Sequence, residues 1–130
     1  MEIKFRVWDI VSQKMDFNMD SILKNHSVIP SKMFCGEDKL LKVQLFTNLY
    51  AKDDRFIYDG DILGCWEEVD GVMTQSKQQV YFDTMLGSWM LDCSSKQDKS
   101  YSDSLFKELE DFEYEVLGNI FQNPELLVSF

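Results

Sequence analysis

Cysteine, histidine and cationic residues are scarce in this chain, and long apolar runs are missing. Its 130 residues include three cysteines and one histidine. Cys35, Cys65 and Cys93 are odd in number, widely spaced and form no C-x-x-C pair. That pattern argues against a disulfide framework and fits reduced, intracellular thiols, buried for structure by default. The lone histidine, His26, would need partners for a triad or a metal site that no spacing supplies. A solvent-exposed or locally bonded imidazole is the expectation. Neither G-x-x-x-x-G-K-S/T nor G-x-G-x-x-G occurs, so no nucleotide-binding loop is signalled. No run approaches the ~18 apolar residues of a transmembrane helix. The opening MEIKFRVWDI has strand character rather than the apolar core of a signal peptide. A soluble, cytoplasmic protein without a membrane role is expected.

What is abundant points to a sheet. Hydrophobic residues make up 45% and aromatics 14%, with 10 Phe, 5 Tyr and 3 Trp. Large flat side chains pack well on pleated surfaces. The length suits one compact domain, residues 1–130, with a core that needs no disulfide or metal. Acids outnumber cations by 23 to 13, a net charge of −10. Such a surface repels a phosphate backbone and disfavours generic nucleic-acid binding.

Residues 2–8 alternate, with Ile3, Phe5 and Val7 on one side and Lys4, Arg6 and Trp8 on the other, as in a half-buried strand. Lys4 and Arg6 form a small basic patch, too few cations for single-strand binding. Residues 15–17 pair back as a short hairpin partner. Residues 18–38 read as a long irregular excursion holding at most one helical turn. Strands are expected at 40–50, at 55–58 and from Asp61 to Glu67, with turns at Asp59-Gly60 and Asp70-Gly71. QQVYFD and GSWMLDC are two further strands. Residues 94–104 form an exposed polar loop. Then Leu105, Phe106, Leu109 and Phe112 mark the inward stripe of a short helix, capped by Asp103 or Ser104. YEVLGNIF returns to strand character. In NPELL, Asn123 is the expected N-cap and Pro124 the first helical residue. The connections are short, so antiparallel pairing follows. A mainly β fold results: a small antiparallel barrel with one short late helix and the long N-terminal excursion.

Two acidic groups invite chemistry. In FIYDGDIL, residues 56–63, Tyr58-Asp59-Gly60-Asp61 sets two carboxylates about one glycine. If Gly60 filled the sixth position of a calcium loop, Arg55, Ile57, Asp59 and Trp66 would stand at positions one, three, five and twelve. Only Asp59 among them binds calcium, so that reading fails. A catalytic pair needs an extended segment, whereas the glycine marks a turn in which Asp bonds nearby backbone N–H groups. The turn is the structural reading. The second group, Glu108, Glu110, Asp111, Glu113 and Glu115, would leave its carboxylates on one exposed surface of the late helix. Such runs are usually solvated, and the functional reading is a docking surface for a basic protein or a mimic of nucleic-acid charge.

Three segments together resemble the YopX family of small phage and prophage proteins. IKFRVWD at 3–9 is similar to that family's opening strand. FTNLYAKDDRFIYDGDIL at 46–63 is similar to its central signature, and EVLGNIFQNPELL at 115–127 to its closing strand and terminal turn. The signature residues at these joints are Tyr58, Asp59, Gly60, Asp61, Gly118, Asn119, Asn123 and Pro124. Asn48 and Asp54 stand where the family usually has glycine, and Asn and Asp tolerate positive φ best among other residues. The resemblance implies an SH3-like barrel and a viral or prophage source acting in the bacterial cytoplasm. It implies no reaction, catalytic residue or cofactor.

The expectation is therefore a non-enzymatic protein-interaction module, without cofactor or metal, whose partner is a basic host or phage protein or a second copy. The alternative is a nucleic-acid-binding accessory protein of phage, since related barrels hold nucleic acid on aromatic sheet faces.

Overall fold

Residues that accept left-handed backbone decide where this chain reverses. The computed structural model describes residues 4–25, 30–93 and 102–127. Gly60 has φ +82° and Gly71 +80°, while Asp70 takes +52°, Asn48 +64° and Asp54 +55°. Both Asp-Gly dipeptides are turns, and Asn48 and Asp54 adopt the left-handed conformation that a glycine would favour. The chain divides into two compact units, Met1–Phe46 and Thr47–Phe130.

In the first unit, β1 (Phe5–Asp9) lies antiparallel to both β2 (Lys14–Asp16) and the first half of β3 (Leu41–Ala51). Val7 faces Asp16 on one side and Val43 on the other. The β1–β2 reversal is held by the Asp9 carboxylate, which accepts from the N–H groups of Val11 and Ser12 at 2.9 and 3.3 Å. Arg6, Val7, Trp8 and Asp9 are all buried, so β1 is covered on both faces rather than one. The Arg6 guanidinium donates to Gln44 Oε1 at 2.7 Å. The expected Lys4–Arg6 surface patch is thereby reduced to Lys4.

The excursion 18–38 is more regular than the sequence suggests. It contains α1 (Met19–Asn25) and α2 (Pro30–Phe34). Asn18 starts α1, its side-chain oxygen accepting from the Ser21 N–H at 3.2 Å. Among the described side chains, α1 buries Ile22 and α2 buries Met33 against Val7 and Leu41. Helices this short hold too few apolar residues to print a periodic stripe, which is why the sequence looked irregular. Cys35 is exposed, unlike the buried Cys65 and Cys93, and none of the three forms a disulfide. His26 lies outside the described residues.

The second unit begins with the rest of β3, where the Thr47 hydroxyl donates to the Ile57 carbonyl of β4 (Arg55–Tyr58) at 2.8 Å. There follow β5 (Asp61–Gly64), β6 (Trp66–Val69), β7 (Val72–Gln75), β8 (Gln78–Asp83), β9 (Ser88–Asp92) and β10 (Ser102–Ser104). Then come α3 (Leu105–Asp111), β11 (Glu115–Asn119) and a 3-10 turn, Pro124–Leu127. One sheet has the order β10-β9-β8-β5-β11, and β6–β7 is a separate two-stranded ribbon. The fold is mainly β and its strand pairs are antiparallel, with α3 as the late helix. Leu63, Val80, Leu91, Leu105 and Tyr114 anchor the core.

Two expectations are corrected. The strand foreseen from Asp61 to Glu67 breaks at Cys65, so that β5 serves the large sheet and β6 the ribbon. Ser102–Ser104, foreseen as the end of a loop, pairs with Met90–Asp92. Backbone N–H and C=O groups pair whatever their side chains, so a polar serine segment beside a bare sheet edge becomes a strand.

Candidate functional site

The first candidate is the joint around Gly60. Asp61 is buried, and its carboxylate accepts from the Tyr58 N–H at 2.8 Å. It closes the β4–β5 turn from inside. Gly60 donates its N–H to the Val80 carbonyl and accepts from the Ile120 N–H, both at 3.0 Å. A single glycine thus joins β8 to the segment after β11. Asp59, next to it, is half-buried.

The closing segment completes the joint. Asn119 pairs with Asp61 across β11–β5, after a register shift between Val116 and Gly118. The Asn119 side-chain oxygen accepts from the N–H groups of Phe121 and Gln122 at 3.0 and 2.9 Å. Its amide donates to Gln122 Oε1 at 2.7 Å. Asn123 precedes Pro124 as an N-cap residue should, but its side chain is used elsewhere. Its Oδ1 accepts from the Asn119 N–H at 3.2 Å, while its backbone carbonyl accepts from the Leu126 N–H at 3.1 Å. That side chain lies over Gly118, where a Cβ would overlap it. The signature residues of the two segments therefore meet in space, and the polar atoms named here are engaged within the joint itself. No group of three His, Cys, Asp or Glu among the described residues could hold a metal ion.

The second candidate is α3. Ser104 caps it, its hydroxyl accepting from the Lys107 N–H at 3.5 Å. Leu105 is fully buried and Leu109 half-buried, as expected, but Glu108 lies between them at 2% exposure. The Tyr114 hydroxyl donates to Glu108 Oε1 at 2.8 Å, and the Cys93 thiol approaches the same oxygen at 3.6 Å. Burial first, then its bond and charge contact with Glu108, push the Tyr114 hydroxyl pKa far above the ordinary phenol range. Glu108 therefore does not belong to the exposed acidic surface. Its spacing from Leu105 and Leu109 places it on their face, and Tyr114 gives a carboxylate there a donor.

The face exchange works both ways. Phe106 is 58% and Phe112 42% exposed, so two residues assigned to the core stand in solvent. Phe106 lies one residue round from Leu105, about 100° off the buried stripe. Phe112 leaves the helix as its C-cap with extended backbone. Glu110, Asp111 and Glu113 are exposed, whereas Glu115 is half-buried in β11. The outer surface is thus acidic and aromatic together. Lys107 on it reaches Asp103 at 4.0 Å. The sequence signal that identifies this pattern is the 105, 108, 109 spacing, which the charge of Glu108 masks.

The family model described as YopX protein matches residues 4–128. The fold is similar to that in the crystal structure of protein EF1440 from Enterococcus faecalis. That likeness has a TM-score of 0.62 and 21% sequence identity, and covers 98% of this chain and 99% of that one. None of the curated proteins matches the chain. No helix among the described residues is long and apolar enough to cross a membrane.

Proposed function

Since the chain belongs to the YopX family, we propose that it works as a non-enzymatic interaction module that docks a basic protein on the outer face of α3. The observation that carries this reading is the exchange of faces on that helix. Glu108 turns inward, while Phe106 and Phe112 stand outside among Glu110, Asp111 and Glu113. Exposed aromatics supply contact area at low entropic cost, and carboxylates around them select a cationic partner and speed its approach. The reading includes a phage or prophage setting in the bacterial cytoplasm and an SH3-like curl of the sheet. Family membership and antiparallel pairing support these two points respectively.

The test is affinity capture from induced host cells, followed by titration of the purified partner. Phe106→Ala and the triple variant Glu110→Gln, Asp111→Asn, Glu113→Gln serve as controls. Each should weaken binding by about tenfold, and binding should fall as salt rises. A partner that binds both variants as tightly as the native chain refutes the reading. So does a tight, salt-sensitive mobility shift with DNA or RNA that the charge-neutral variant leaves unchanged.

A further inference from the structure

The β6–β7 ribbon lies outside the reading above. The Asp70-Gly71 reversal has positive φ at both residues, +52° and +80°, the pattern of the two-residue turn that suits a tight hairpin. At the other end Ser76 clamps the base. Its N–H donates to the Cys65 carbonyl at 2.9 Å, its hydroxyl donates to the same carbonyl at 3.1 Å, and the Cys65 N–H approaches the Ser76 hydroxyl oxygen at 3.2 Å. A two-stranded ribbon is marginal by itself, and here both ends are held.

The ribbon runs past its neighbours. β11 pairs with β5 only as far as Gly64, and β9 pairs with β8 only from Val80 to Asp83. Among the described residues, neither β6 nor β7 has a second strand beside it. The register fixes what each face shows. Trp66 faces Gln75 and Glu68 faces Met73, so these four share one face. Trp66 and Met73 are diagonal neighbours, within reach of one another's side chains. Trp66 is 54% and Met73 58% exposed, and Glu68 beside them is exposed too. Residues 66–76 contain Glu67, Glu68 and Asp70 and no cation.

We propose that this ribbon is a second docking element, which takes an extended segment of a partner protein whose side chains on one face are cationic and apolar by turns. The segment adds a strand to a ribbon edge, so that backbone N–H and C=O groups pair. Its apolar side chains cover Trp66 and Met73, and its cations meet Glu68 and Asp70. Charge decides against a second copy as the occupant. Two ribbons edge to edge would bring the exposed Glu68 and Asp70 carboxylates of both copies together, and like charges across strands oppose pairing.

Three short fluorescent peptides of equal length test this, each with serine at every second position and Lys–Val, Glu–Val or Lys–Ser alternating at the positions between. Anisotropy titrations use the native chain, Trp66→Ala, Met73→Ser, Glu68→Gln and the α3 triple variant. Lys–Val should bind at least about tenfold tighter than either other peptide. Trp66→Ala and Met73→Ser should each lose most of that preference, and Glu68→Gln should lose part of it. Backbone amide shifts should move at residues 66–75 and stay fixed at 105–113. The α3 triple variant should bind Lys–Val unchanged, which separates failure here from failure of the α3 surface.

Equal binding of Lys–Val and Lys–Ser would mean charge attraction alone, and equal binding of Lys–Val and Glu–Val hydrophobic adhesion alone. Either overturns the proposal, as does no binding at all, or amide shifts confined to 105–113. Concentration-dependent dimerisation lost in Trp66→Ala would make a second copy the occupant and overturn it as well. Trp66 and Met73 are exposed, so both variants should fold, and circular dichroism checks this.

Discussion

Replacing Tyr114 with Phe removes one oxygen atom and isolates the buried contact at the heart of the second unit. Tyr114 and Glu108 are both almost fully buried, and the hydroxyl donates to the carboxylate at 2.8 Å. A hydrogen bond to a charged acceptor contributes about 1.5–3 kcal/mol net. The ring remains, so little packing is lost, and Tyr114→Phe should destabilise the chain at pH 7 by about 2 kcal/mol. The pH dependence gives a second, independent measurement. Tyr114 keeps its proton in the folded chain well above the ordinary phenol pKa, because burial and the neighbouring carboxylate disfavour the phenolate. The unfolded chain gives that proton up near pH ~10. Its contribution is therefore complete below that pH and is lost above it, at about 1.4 kcal/mol per pH unit. The loss continues towards the raised folded pKa.

The assay is urea unfolding of the native chain and Tyr114→Phe at pH 7 and in steps from pH 9.5 to 11.5. The variant should start lower and show the shallower alkaline decline, so that the two curves converge. Other tyrosines and the lysines titrate in both proteins and cancel in the difference. Parallel curves, or a neutral effect at pH 7, would refute the assignment of Glu108 and Tyr114 as a buried bonded pair.

Other predictions concern the joints and the helix faces. Gly118→Ala should lower stability by about 1–3 kcal/mol, because its Cβ overlaps the Asn123 side chain. Pairing it with Asn123→Ala should relieve part of the loss, as read in a double-mutant denaturation cycle. Asp61→Ala should cost about 1–3 kcal/mol by leaving the buried Tyr58 N–H without this acceptor. Asp61→Asn keeps an oxygen there and should cost less, with thermal melts ranking the two. Leu105→Ala should cost about 2–5 kcal/mol, whereas the neighbouring Phe106→Ala should stay within about 0.5 kcal/mol. Similar losses for those two would mean that the helix faces are assigned wrongly.

Much of the second unit's chain path was legible in local residue chemistry. Asp-Gly twice marked a reversal because the glycine accepts positive φ, as Gly60 and Gly71 both do. Asn48 and Asp54 marked left-handed positions for the same reason, and Ser104 marked the start of α3 through its short side-chain acceptor. The candidate surface was only half legible. Glu110, Asp111 and Glu113 were placed correctly in solvent, but Glu108 was grouped with them by charge. Arg6 was likewise assigned to a surface when its guanidinium is buried on Gln44.

By itself, then, the sequence determined where the backbone turns and which period each segment follows, because those preferences act within a few residues. Only the tertiary structure decided which charged groups are inside. Burying a carboxylate or guanidinium depends on whether a distant chain segment brings it a hydrogen-bonding partner. Gln44 lies 38 residues from Arg6, and Cys93 lies 15 from Glu108. Partners at such separations meet only when strands far apart in the chain pair, and that pairing is a property of the whole fold.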